Sequence, residues 1–196
     1  FAERCRAEGV PYATMADEGV VSRRIVERSV YADLIALSLT RRGMQQTQTG
    51  VGTEFNTILQ QSRRPVLAVP DDAQSPMDNV LLAYDGSSKA DEALYLAAYV
   101  AAAWQIPLAV LVVGASREDR QAIARADAYL KKRNIDAPVI NRTGAESEVI
   151  LDTMDELEAN LLLIGSFGRR PILQLLIGST LNAVLGQIKQ PLIICR

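Results

Sequence analysis

The chain has 196 residues, 48% of them hydrophobic and 22% charged, with a formal net charge of −2. That balance belongs to folded globular structure, is too hydrophobic for a disordered chain, and offers no electrostatic footprint for nucleic acid or an anionic membrane. Histidine is absent, which excludes Ser-His-Asp and Cys-His nucleophile systems and any zinc site with the usual His or clustered Cys ligands.

In chain order, Cys5 comes first; with Cys195 at the far end and no CxxC pattern, both read as free thiols in a reducing, cytoplasmic compartment. "ADLIALSL" at 32–39 is an apolar, strand-like run, and "VLAVP" at 66–70 is a second. "PDDAQSPMD" breaks both periodicities, so 71–78 is the predicted linker. Beyond it, "VLLAY" at 80–84 is a buried strand, and Ser87 or Ser88 caps a helix with Ala90, Ala93, Leu94, Ala97 and Ala101 on one face. The apolar stretch Ala93 to Trp104 in that helix falls far short of the roughly 20 residues that span a bilayer, so no membrane insertion is expected. "LAVLVV" at 108–113 is the next strand, and Ser116-Arg117-Glu118-Asp119 has capping-box spacing for a helix to Arg133. A short strand at 138–141 precedes a helix with Val149, Ile150, Thr153, Met154 and Leu157 inward. "LLLI" at 161–164, a helix marked by Leu181, Val184, Leu185 and Ile188, and "LIIC" at 192–195 complete the chain. Continuous apolar strands alternating with helices predict an α/β fold with a doubly wound parallel sheet, in its simplest form five strands in the order 3-2-1-4-5.

The sequence also repeats itself. "ADLIALSL" resembles "ANLLLIGS" at 159–166, and "GTEFNTILQQSRRPVLAVP" at 52–70 resembles "GSTLNAVLGQIKQPLIICR" at 178–196. The predicted organisation is therefore a partial first unit at 1–70 and a complete second unit at 79–196, with about 45–50 residues of the first unit expected upstream of Phe1 if the repeat is faithful.

In a doubly wound sheet a ligand sits beyond the carboxyl ends of the strands where the order reverses. In the second unit those ends are Asp85-Gly86-Ser87 and Gly165-Ser166-Phe167-Gly168. Gly165 and Gly168 let backbone N–H groups approach a ligand, and Gly178-Ser179 opens a helix whose amides favour an anion. Asp85 can accept from an adenine amino group or a ribose hydroxyl, and Val113 can wall a base. Each also has a plain reading: Asp85 in "DGSS" fits a turn or cap residue, and glycines at strand ends are common punctuation. The acidic helix residues Asp152, Asp155, Glu156 and Glu158 are expected on a solvated face and no metal site is predicted.

The spacing Gly165-x-x-Gly168, nine residues, then Gly178-Ser179 resembles the signature of ATP-binding universal stress proteins. "VLLAYDGSSKADEAL" is similar to that family's first strand and helix, and "GAESEVILDTMDELEANLLLIGS" to its central segment. The resemblance covers 79–196 and, more weakly, 1–70. It implies a nucleotide alpha-hydrolase-like fold, adenine contact by Asp85 and Val113, and phosphate or ribose contact by Gly165, Gly168, Gly178, Ser179 and the Thr180 backbone. It further implies ATP, or AMP or ADP, carrying Mg²⁺ or Mn²⁺, at most slow hydrolysis, and pairing through final strands, so that 66–70 is expected to lie antiparallel to 192–196 as an intramolecular form of the family dimer, with a homodimer as a further expectation. The pattern departs at Phe167, where His or Arg is frequent, and at Pro171 in the spacer. In the first unit Ser38 and Arg41 replace the glycines, so no nucleotide is expected there. The expected function is an ATP-binding stress-response module read by an unidentified regulated protein, with no catalytic residue. The alternatives are a nucleotide-free scaffold of the same type and, remotely, an ATP pyrophosphatase-like enzyme, whose S-G-G-x-D-S motif "YDGSSK" does not match.

Overall fold

A computed structural model describes residues 1–39, 53–166 and 179–196. The first stretch holds helices α1 (Ala2–Ala7) and α2 (Val21–Ser29) and strand β1 (Ile35–Leu39). Helix α3 (Thr53–Gln61) and strand β2 (Val66–Pro70) follow. Beyond the 71–78 segment come β3 (Val80–Ala83), α4 (Ser88–Trp104), β4 (Leu108–Val113), α5 (Arg117–Lys132), β5 (Val139–Arg142), α6 (Glu146–Glu156), β6 (Leu161–Gly165), α7 (Ser179–Gln187) and β7 (Leu192–Cys195).

The described strands form one sheet in the order β1-β2-β7-β6-β3-β4-β5. From β3 to β7 this is the 3-2-1-4-5 arrangement expected of a doubly wound unit, every pair parallel. The sheet is wider than the five strands expected because β2 joins β7 antiparallel, with Val66 opposite Ile194 and Ala68 opposite Leu192, as the family resemblance implied. Arg196 reinforces this seam by donating from Nη1 to the Ser62 carbonyl at 2.9 Å. The β1-α3-β2 segment has the same build as β6-α7-β7: parallel strands joined through a nine-residue helix.

Alternation along the strands divides the core in two. Leu81, Leu111, Leu162, Ile164 and Ile194 point to the side of α3, α6 and α7, where Ile58, Met154, Leu181 and Leu185 meet them. Val80, Leu82, Val110, Leu163 and Ile193 point to the opposite side, under α4 and α5. Both faces are buried, which is why these strands read as unbroken apolar runs rather than as alternating ones. The helix ends follow their caps: Ser87 Oγ accepts from the Ala90 N–H at 3.2 Å, and Ser116 and Asp119 complete a capping box. Strand β5 begins one residue later than the sequence suggested and includes Arg142, whose guanidinium pairs with Glu156 at 2.6 Å.

Cys195, on β7 beneath α4, is 2% exposed, and burial, with the charge of Glu92 adding, pushes its thiol up to about 12. Cys5 is half-buried and forms no disulfide. A thiol reagent at mildly alkaline pH should therefore label Cys5 in the native protein and reach Cys195 only after denaturation, a count read directly from the absorbance of the released chromophore.

Candidate functional site

The order reverses between β3 and β6: chain connectivity runs outward from β3 through β4 to β5, and the other way from β6 to β7. Their carboxyl ends are neighbours, with Ala83 opposite Ile164, and β4 lies on the other flank with Ala83 opposite Leu111. Asp85, Val113 and Gly165, each called from sequence, thus come to one edge of the sheet. Because β6 and β7 are parallel, α7 must start beyond that same edge, which brings Ser179 and Thr180 to its carboxyl side. Gly168 and Gly178 lie outside the described residues.

Three of these positions already carry structural duties. Asp85 Oδ1 accepts from the Ser87 N–H at 2.9 Å, closing an Asx turn in which Gly86 takes φ 76°, so the turn reading of "DGSS" holds. The Thr180 hydroxyl donates to Glu146 Oε2 at the start of α6, leaving its backbone as the part expected to meet a ligand. Gly165 is glycine for a packing reason: a Cβ there would lie 2.8 Å from both the Ala90 nitrogen and the Lys89 carbonyl carbon, in the first turn of α4.

Sequence reading missed a network behind the Asp85 turn. Tyr84, 2% exposed, donates its hydroxyl to Asp91 Oδ1 at 2.5 Å. Arg125, from α5, donates to the same carboxylate at 3.2 Å and to the Gly86 carbonyl at 3.0 Å. The turn is thereby tied to two helices. Burial, helped by the Asp91 charge, raises the Tyr84 phenol well above its ordinary range. Sequence reasoning also passed over Ser166. It is 2% exposed, its N–H reaches the Cys195 carbonyl at 2.7 Å, and its hydroxyl has no partner among the described residues. Its place between Gly165 and the glycine spacer was the available signal. Among the described residues no group of three His, Cys, Asp or Glu side chains is arranged to hold a metal ion.

Two predictions follow from these contacts. Gly165→Ala should cost about 1–3 kcal/mol by forcing strand and helix apart, whereas Gly186→Ala, which meets nothing within 4 Å at an exposed position of helix α7, should gain about 0.5–1 kcal/mol; urea unfolding separates the two. For Tyr84, a folded value above the unfolded one means the contribution is complete below about pH 10 and is lost as pH climbs beyond it. Tyr84→Phe should then lower stability by about 1 kcal/mol at neutral pH and flatten the alkaline fall in melting temperature.

Comparison with known proteins gives a consistent placement. Residues 113–196 match the model of the universal stress protein family. A universal stress protein of Synechocystis sp. is 30% identical over 167 residues, 84% of this chain, and the chain spans only 58% of that relative's length. The crystal structure of a universal stress protein from Archaeoglobus fulgidus superposes with a TM-score of 0.82 over 100% of this chain and 72% of its own, at 24% identity, a likeness of fold. A solved universal stress protein in complex with cAMP matches 61% of this chain and 96% of its own, with a TM-score of 0.52 and 24% identity. Family match, curated relative and shared fold together support the chain as a member of the universal stress protein family.

Proposed function

We propose that residues 79–196 form a nucleotide-binding regulatory unit whose ligand, ATP or a related adenine nucleotide, lies across the carboxyl ends of β3 and β6. The observation that carries this reading is the placing of Asp85 and Ser166 just beyond the paired carboxyl ends of β3 and β6, where the strand order reverses, the Ser166 hydroxyl being buried and without a partner among the described residues. A buried hydroxyl at a strand end suits a polar ligand. Family membership supports a nucleotide, and the cAMP complex of a related protein supports an adenine one. On this reading Asp85 accepts from the base or ribose, Val113 walls the base, and the backbone around Gly165, Gly168, Gly178, Ser179 and Thr180 faces phosphate. A divalent cation such as Mg²⁺ or Mn²⁺ would ride on the phosphates. The proposed role is binding: occupancy stiffens the turn at 85–87 and a partner protein responds. Residues 1–70 serve as the rear part of a degenerate first unit that completes the sheet through the β2·β7 seam.

The second reading, a nucleotide-free scaffold, draws on the structural duties of Gly165, Asp85 and Thr180, each of which explains its residue without a ligand. Calorimetry with ATP and Mg²⁺, alongside mass spectrometry of small molecules released on denaturation, decides between them. The binding reading expects one saturable site per chain. Asp85→Asn retains the turn acceptor and removes the carboxylate, so it should weaken binding about tenfold with the fold intact. Gly178→Val should weaken it further, whereas Gly165→Val would be confounded by its clash with α4. Folded wild-type protein that neither carries nor binds a nucleotide would establish the scaffold reading.

A further inference from the structure

Helix α4 carries no charge from Ala93 to Trp104, although one side of it faces solvent. Tyr95, Tyr99 and Trp104 are 50%, 69% and 53% exposed. A surface helix normally turns charged residues outward; an uncharged aromatic side has the composition of an interface. Tyr95 and Tyr99, one turn apart, border a groove of about 420 Å³ between α4 and α5, whose floor and far wall include Ala102, Tyr129, Arg133 and Ile135. The ring centroids of Tyr95 and Tyr129 lie 4.8 Å apart, and the Arg133 guanidinium carbon sits 3.6 Å from the centroid of the Tyr129 ring.

The charge in this groove is unbalanced. No carboxylate lines it, and Arg133 makes no ion pair among the described residues. Of the nearby cations, Lys131 pairs with Asp127 at 2.8 Å and Arg125 with Asp91 at 3.2 Å, while Lys132, like Arg133, makes no ion pair among the described residues. A guanidinium held over a tyrosine face still has N–H donors to offer a carboxylate. From Tyr95 to Ala102 the groove follows seven residues of helix, about 10 Å, the length of roughly three extended residues rather than of a closed small-molecule pocket.

We propose that the α4/α5 groove docks an acidic segment of a partner protein, a carboxylate meeting Arg133 and an adjacent apolar side chain lying between Tyr99 and Tyr129. The occupant's chemistry follows from the unpaired cation and the aromatic walls, and stands apart from the nucleotide reading, since the groove lies over α4 and α5 and not at the strand ends.

The test uses fluorescence anisotropy on the whole chain. The probes are fluorescein-labelled dodecapeptides in which glutamates alternate with Phe, Leu or Ile, with matched sets carrying Gln or Lys for Glu. At least one acidic member should bind about tenfold tighter than its Gln counterpart and weaken with added salt. Arg133→Glu and Tyr99→Ala should each reduce that binding about tenfold while leaving the circular dichroism spectrum that of the folded protein, both side chains being exposed. Equal binding of acidic and amide sets, or binding untouched by Arg133→Glu, would overturn the proposal. So would a dimer seen by sedimentation and abolished by Tyr99→Glu, which would give this face to a second copy of the chain.

Discussion

No side chain fits between the end of β6 and the first turn of α4. The backbone of Gly165 approaches Lys89 and Ala90 so closely that even a methyl group would overlap main-chain atoms. The approach is shared by the rest of the helix, whose buried positions include Ala90, Ala93, Ala97, Ala98 and Ala101. Small residues let the helix axis settle low on the sheet, and the Ser87 cap then determines where the chain leaves β3. The turn at 85–87, its tether to Arg125 and the Tyr84 bond to Asp91 all depend on that seating. A candidate site at the strand ends is thus positioned by helix packing before any ligand is considered.

The same helix is built inside out in size. Ala90, Ala93, Ala97, Ala98 and Ala101 face the sheet with Leu94 and Val100, and its tyrosines face water, so little of its aromatic area contributes to the core. Burying Tyr95 or Tyr99 inward would lift the helix away from Gly165 and undo the close approach. Outward placement leaves apolar area that the fold itself does not use, beside a cation that the fold does not neutralise. The strand-end crevice and the α4/α5 groove are therefore two consequences of one packing choice.

The architecture was legible because its signals are local. Apolar runs, the caps at Ser87 and Ser116, and the repeat around 52–70 and 178–196 each declare themselves within a few residues, and the observed elements follow them closely. The wider sheet was legible only by combining the repeat, which revealed two copies, with the resemblance to a family that pairs through its final strands. What escaped depends on azimuth and register across distant elements. Arg125 meets Gly86 only because α5 lies beside α4 at a particular rotation, and Glu146 meets Thr180 only because α6 and α7 begin side by side. Gly165 was noticed for the right reason, a need for bare backbone, but a helix as well as a ligand can create that need. Ser166 went unnoticed because a serine after a strand carries no signal until its burial is known.

The seam between β2 and β7 shows how the sheet handles its open ladders. Without β2, the last strand of the doubly wound unit would be an apolar edge of four buried residues. Pairing over Val66, Leu67 and Ala68 covers it, and Arg196 adds a bond to the Ser62 carbonyl beside the joint. The outer strands of the described sheet are then β1 and β5, and they differ. Strand β5 is short, carries Arg142 held by Glu156, and sends the Asn141 side chain back to the Val112 and Gly114 carbonyls. Those are the devices by which an edge discourages further pairing. Strand β1, "IALSL", carries no charge, and Ala36 is exposed on it. The sheet is thus guarded at the end that belongs to the doubly wound unit and receptive at the other, so continuation of the ladder, if another strand is supplied, has its place beside β1.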